Sequence, residues 1–145
     1  MGKNYRPCVV AVFINESGKV LVGLRSDLDV WQFPQGGVEP GEDSIDALYR
    51  EVEEELGCRN FQVIKTLLKE ASYDFPEELK TPISKHYKGQ KQDWFLCEFD
   101  PGCNPNLEKA TTDEFRQLKW VDREEILHQT VWWKKDVYKS ALSQI

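Results

Sequence analysis

The sequence predicts an α/β fold. Three observations carry this: β-branched and aromatic runs of strand length recur along the chain, one segment has the period and the caps of an amphipathic helix, and the two kinds of segment interleave without a repeat. At 145 residues, with five Trp, five Tyr and seven Phe, the chain has the size and apolar stock of one domain, expected to span residues 1–145.

Residues 8–14 form a β-branched apolar run, Asn15-Glu16-Ser17-Gly18 is turn chemistry, and residues 20–24 are a second apolar run, which predicts a buried hairpin. Residues 31–37, Trp-Gln-Phe-Pro-Gln-Gly-Gly, make an aromatic segment ending in backbone-bending residues that lead to a tight loop at Pro40-Gly41. The next segment predicts a helix over residues 44–56. Asp43 or Ser44 can cap it, Asp46 adds negative charge to its first turn, and Gly57 stops it. Residues 61–68 are strand-like. Residues 73–90, with Pro76, Pro82 and Gly89, read as a long exposed loop. Residues 94–99 and 115–121 read as further strands, and 132–142 as helical.

The net charge of -6, from 25 acidic and 19 basic residues, means that the whole molecule does not draw a polyanion from a distance. Nucleic-acid contact needs a local basic surface, and no DNA partner is expected. Cys8, Cys58, Cys97 and Cys103 form no C-x-x-C pair and are expected to be buried free thiols in a reducing compartment. No apolar stretch approaches the roughly 20 residues of a membrane span, and the first residues lack a signal-peptide apolar region. A cytoplasmic protein without membrane contact is expected. Gly2 is not expected to be lipidated, because Arg6 stands where that motif wants Ser or Thr.

On a helical wheel Ile45, Leu48, Tyr49, Val52 and Leu56 share one apolar stripe, while Glu51, Glu54 and Glu55 gather on the adjoining flank and Glu53 points elsewhere. Clustered carboxylates repel by a few tenths of a kcal/mol per pair, roughly, so helix stability alone does not explain them. A hard divalent ion that keeps waters and accepts substrate phosphates does. The bland alternative is a solvated acidic face beside an Arg50–Glu54 surface pair.

The context favours the ion. From Gly36 the chain reads G-x5-E-x7-R-E-U-x-E-E-x-G-U, with U a large apolar residue: Gly36, Glu42, Arg50-Glu51-Val52, Glu54-Glu55, Gly57 and Cys58. Over residues 36–58 this resembles the signature of the Nudix hydrolases, departing only at Cys58, itself a small hydrophobe. Outside it, Tyr5-Arg6-Pro7, residues 31–37, Gly89-Gln90-Lys91-Gln92, Glu114-Phe115 and residues 134–138 are similar to the branch of RNA pyrophosphohydrolases and diadenosine tetraphosphate hydrolases.

The resemblance implies an α/β/α sandwich with a mixed central sheet. It implies Mg²⁺ or Mn²⁺ held by Glu51, Glu54, Glu55 and the distant Glu114, with Glu42 and Arg50 orienting those ligands. It implies attack on phosphorus by an activated water, with Glu54 favoured as base and Glu51 and Glu55 as firmer ligands, although members of the family differ in this assignment. For substrate, Arg6, Arg25, Lys91 and Lys134 are the expected phosphate contacts and Tyr73 and Trp133 the stacking partners. Arg25 and Trp133 are placed to sandwich a base. Of the adjacent Trp132 and Trp133, one ring is expected in the core and the other free to act. His86 and His128 are expected to be surface residues. No serine elbow, Walker loop or zinc spacing is present.

Two substrates follow from one site: the triphosphorylated 5′ end of RNA, losing pyrophosphate, or a dinucleoside polyphosphate cut asymmetrically. A third reading, a nucleotide-binding regulator without turnover, predicts lost signature carboxylates, and this chain keeps all of them.

Overall fold

The computed structural model describes residues 3–145; Gly2 lies outside them. The strands are β1 (Asn4–Phe13), β2 (Val20–Arg25), β3 (Trp31–Gln32), β4 (Gln35–Gly37), β5 (Phe61–Asp74), β6 (Tyr87–Phe99) and β7 (Phe115–Val121). The helices are α1 (Ser44–Leu56), α2 (Pro82–His86), α3 (Arg123–Gln129) and α4 (Lys135–Leu142), with a 3₁₀ turn at Trp132–Lys134. β1 pairs in parallel with β6 and antiparallel with β4, and β5 lies antiparallel along β6, giving a mixed sheet ordered β4-β1-β6-β5. A second, antiparallel sheet is ordered β3-β2-β7.

Because side chains alternate along a strand, β1 feeds two cores. Val10 and Val12 join Phe33, Trp94 and Leu96 against Ile126 of α3 and Tyr138 and Leu142 of α4. Val9, Ala11 and Phe13 join Phe61 and Phe95 against Leu48, Val52 and Leu56 of α1. Burial on both faces is why this strand is apolar without alternation. Helices on both sides of a mixed sheet make the expected α/β/α sandwich.

Helix α1 has the bounds that its sequence predicts. The Asp43 side chain accepts from the Ile45 N–H, and Gly57, at φ 66°, donates its N–H to the Glu53 carbonyl in the left-handed conformation that suits glycine.

Four expectations are corrected. The runs at 8–14 and 20–24 do not form a hairpin: the turn is real, with Asn15 Oδ1 accepting from the N–H groups of Ser17 and Lys19, but only an Ile14–Val20 bridge joins the two strands. β1 leaves for β6, where Cys8 lies opposite Gln92, because it gains burial on two faces there. The segment 73–90 is not an exposed loop. β5 runs to Asp74, α2 fills 82–86, and Tyr73, Gly89 and Gln90 are buried. Pro82 starts a helix rather than breaking one, since Thr81 caps it by accepting from the Ser84 N–H while Ser84 Oγ accepts from the Thr81 N–H.

The third correction is chemical. Cys58 and Cys103 form a disulfide across 45 residues, leaving Cys8 and Cys97 as the buried free thiols. The reducing-compartment reading therefore loses two of its four cysteines. Fourth, neither Trp132 nor Trp133 packs in a core: Trp132 is exposed and Trp133 is half-buried. His86 and His128 are exposed. Among the described residues no helix is long and apolar enough to cross a membrane.

Candidate active site

A cleft of about 500 Å³ opens where β1, β4, β5, β6, α1 and the 3₁₀ turn converge. A larger hollow of about 750 Å³ surrounds the disulfide, but it holds none of the clustered glutamates and no aromatic ring. The candidate site residues gather in the smaller cleft. Glu51 and Glu114 line it together with Arg6, Arg25, Tyr73, Trp133 and Lys134.

The glutamates differ in environment although three share one helix flank. Glu51 packs directly over Gly36, so closely that a Cβ there would come within 2.1 Å of its Oε2. Burial raises its carboxyl above the usual range, with Arg50 opposing. Glu54 is the most open of the three on α1, and Arg50 Nη1 stands 3.6 Å from its Oε2. Glu55 is 2% exposed. Burial, and then the charges of Glu114 and Glu51, push its carboxyl well above the usual range. The Gln35 backbone N–H offsets this only in part, since neither Glu55 oxygen lies in hydrogen-bond geometry with any donor. Glu114, at the mouth of β7, accepts from Gln32 Nε2 at 3.4 Å.

Among the described residues these carboxylates are not already drawn into a ready coordination shell. Mutual repulsion and the grip of Arg50 on Glu51 account for that spacing. The donor set nevertheless fits a hard cation. A carboxylate with both oxygens buried and unpartnered carries a large desolvation cost, and a divalent ion beside Glu55, shared with Glu51, Glu54 and Glu114, would remove it.

Arg50 is the frame of these carboxylates. Its Nε and Nη2 donate to Glu42, each at 2.8 Å, Nη1 donates to Glu51 at 2.8 Å, and Nη2 also reaches the Gly37 carbonyl at 2.9 Å. Arg50 and a Glu39 N–H hold the Glu42 carboxyl down at about 2. One guanidinium thereby ties α1 to the loop before it and to β4.

Lys134 is buried, and its Nζ donates to Gln32 Oε1 at 3.4 Å. Gln32 bridges this cation to Glu114. The Arg6 guanidinium rests on Gly37, where a Cβ would come within 2.6 Å of its Nη2. Arg25 is paired with Asp27 through two hydrogen bonds at 2.9 and 2.7 Å. Tyr73 donates its hydroxyl to Gln90 Oε1 at 2.5 Å, which turns it into a wall of the cleft rather than an exposed ring.

Lys91 does not line the cleft. Gln90 and Gln92 share one face of β6, and strand alternation turns Lys91 to the other, 3.8 Å from Glu70. The groups that the sequence left unassigned are Gln35 and Gln90 in the cleft wall and Gln32, bonded to two lining residues. Gln32 carried a signal, an uncharged polar side chain between Trp31 and Phe33 that burial makes expensive unless it is bonded, whereas Gln35 and Gln90 stand among polar residues and glycines and carried none.

A family profile described as the NUDIX domain matches residues 4–141. The chain is 39% identical over 154 residues to an RNA pyrophosphohydrolase of Bartonella tribocorum, covering 97% of this chain and 89% of that one. It is 37% identical over 147 residues to an RNA pyrophosphohydrolase of Wolbachia pipientis subsp. Culex pipiens, covering 98% and 90%. Among solved structures, a MutT protein from Methanosarcina mazei Go1 superposes with a TM-score of 0.69 at 21% identity, covering 99% of this chain and 96% of that one. With the profile, the relatives and the carboxylate-lined cleft in agreement along nearly the whole length, the chain belongs to the NUDIX domain family.

Proposed function

We propose that this Nudix pyrophosphohydrolase removes pyrophosphate from the triphosphorylated 5′ end of RNA with the help of Mg²⁺ or Mn²⁺. The observation that carries the reading is the make-up of one cleft, which brings the carboxylates of Glu51 and Glu114 together with Arg6, Arg25 and Lys134 and the Trp133 ring. That set of groups suits a cation, a run of phosphates and a base. The relatives described as RNA pyrophosphohydrolases support the choice of substrate.

A bound divalent ion supplies charge neutralisation on the phosphate oxygens and makes a water more acidic. Glu51, Glu55 and Glu114 would hold it, and the Glu42–Arg50 pair would keep Glu51 aimed. Glu54, half-buried and the least buried glutamate on α1 apart from Glu53, is the group we assign to take the water's proton. Arg6 and Lys134 bind phosphate oxygens. Arg25 exchanges Asp27 for substrate and stacks on a base that Trp133 covers from the other side.

A second reading, asymmetric cleavage of a dinucleoside polyphosphate, is favoured by the net charge of -6, which gives an RNA body little to hold. The experiment runs triphosphorylated RNA and diadenosine tetraphosphate in parallel with Mg²⁺, using Glu54→Gln as control. Faster pyrophosphate release from RNA, lost in the variant, is expected. Faster formation of ATP and AMP from the dinucleotide would replace the RNA reading, and no turnover of either would remove both.

A further inference from the structure

Trp132 is 66% exposed, the most exposed large apolar side chain among the described residues. An indole in that position gives up a large area of hydrophobic burial, so an isolated exposed Trp asks for an explanation. Its place in the chain offers one. Val131, Trp133 and Lys134 all line the cleft, while Trp132, inside the same run, points out beside the cleft mouth. Its ring meets that of Trp133 edge to face, with centroids 5.7 Å apart and planes at 87°. The contact holds the indole in one orientation while most of it stays open to solvent.

From this we infer that Trp132 is a second stacking platform, outside the cleft, for the base that follows the one held between Arg25 and Trp133. The inference rests on the RNA reading above and deepens it. A cleft of about 500 Å³ has the size of a small-ligand pocket, so a nucleotide chain continues beyond it, and a course past the lining residues Val131, Trp133 and Lys134 brings its next base to Trp132. The net charge of -6 means that the body of the RNA is not held by a general positive field. An aromatic platform supplies attraction that depends on neither charge nor base identity, because every base has a π-face.

The consequence is a chain-length preference encoded in one residue. kcat/KM for 5′-triphosphorylated, unstructured RNA is compared at one nucleotide, the nucleoside triphosphate itself, and at four in the wild type, Trp132→Ala and Trp132→Phe, with diadenosine tetraphosphate as a reference substrate. Loss of one base–aromatic stack lowers binding by about fivefold or more. Trp132→Ala is therefore expected to lose at least about that factor on the four-nucleotide substrate, through KM, while the one-nucleotide substrate and diadenosine tetraphosphate are unchanged. Trp132→Phe recovers most of the loss, and the factor persists at raised salt because stacking releases no counterions.

Equal activity of Trp132→Ala and wild type at both lengths overturns the inference. So does an equal loss on all three substrates, which would mean that Trp132 only props Trp133. A wild type that cleaves diadenosine tetraphosphate but no RNA of either length overturns the RNA reading itself, and the inference with it.

Discussion

Arg50 holds Glu42 through two parallel hydrogen bonds, each 2.8 Å, and spends its remaining nitrogen on Glu51. The geometry is that of a planar fork on a carboxylate, which an ammonium cannot reproduce. Lysine at this position would reach one partner and free the other. In Arg50→Lys, the Mg²⁺ concentration for half-maximal activity is expected to rise about 10–100-fold, the usual effect of losing a group that aims metal ligands. Titration of activity with Mg²⁺ measures it. An unchanged metal requirement would mean that Glu51 needs no aiming.

Glu55 places a buried charge where folding resists it. Its carboxyl is raised by burial and by Glu114, so the folded chain favours the protonated form. A carboxyl raised on folding contributes stability below the unfolded value of 4.5, and that contribution is lost as pH rises through the folded value. The penalty on the wild type grows as pH rises above 4.5. Glu55→Gln should therefore be more stable than wild type at pH 8, by about 1–3 kcal/mol, with the gap shrinking toward pH 4, while activity is lost. Mg²⁺ should raise the Tm of the wild type and have little effect on the variant. Thermal melts with and without Mg²⁺ read both effects, and a variant less stable than wild type at pH 8 would sink the account.

What could be read from the sequence was what is local. Helix α1 was legible to its ends because Asp43 and Gly57 act on their own few neighbours, and Glu51, Glu54 and Glu55 shared a flank by arithmetic alone. Lys91 was misplaced because a loop has no alternation, whereas β6 does, and its register with β1 is set by residues some 84 positions away, as in Cys8 opposite Gln92. Gly89 and Pro82 looked like breakers. In the fold Gly89 sits so close to the Tyr73 carbonyl that a Cβ would come within 1.9 Å, a packing demand that imitates a loop signal. The disulfide was invisible for the same reason as the strand register: proximity of Cys58 and Cys103 is a product of the finished fold.

That disulfide joins the residue after the α1 stop to the segment that leads into Glu114. The same segment is tied to α1 by hydrogen bonds from the Asn106 N–H to the Leu56 carbonyl at 2.7 Å and from the Thr111 N–H to the Glu54 carbonyl at 2.8 Å. Closing a loop of this length stabilises by about 2–4 kcal/mol through the unfolded chain. Cys103→Ser should unfold at lower urea by that amount, wild type in reductant should match it, and the variant should ignore reductant. Coincident midpoints for oxidised wild type and variant would show that the crosslink adds nothing to stability.

Lys134 is expected to set the alkaline limit of the reaction. Burial lowers it from 10.5 to about 8, with Arg25 adding repulsion and Glu114 and Cys8 partly offsetting both. Between those two values the unfolded chain holds the proton and the folded chain does not, so this group makes folding more favourable as pH rises through the window. Below about 8 both forms are charged and the penalty is constant. Activity runs the opposite way, because a phosphate oxygen is held by the charged form. kcat/KM, which follows the free enzyme, should fall above pH about 8 with the slope of one proton. Lys134→Arg keeps its charge through this range and should lack the alkaline fall, while Lys134→Met should be weak and flat across it. A wild-type profile level from pH 7 to pH 9, or the same fall in Lys134→Arg, would assign the alkaline limit to another group and remove Lys134 from phosphate binding.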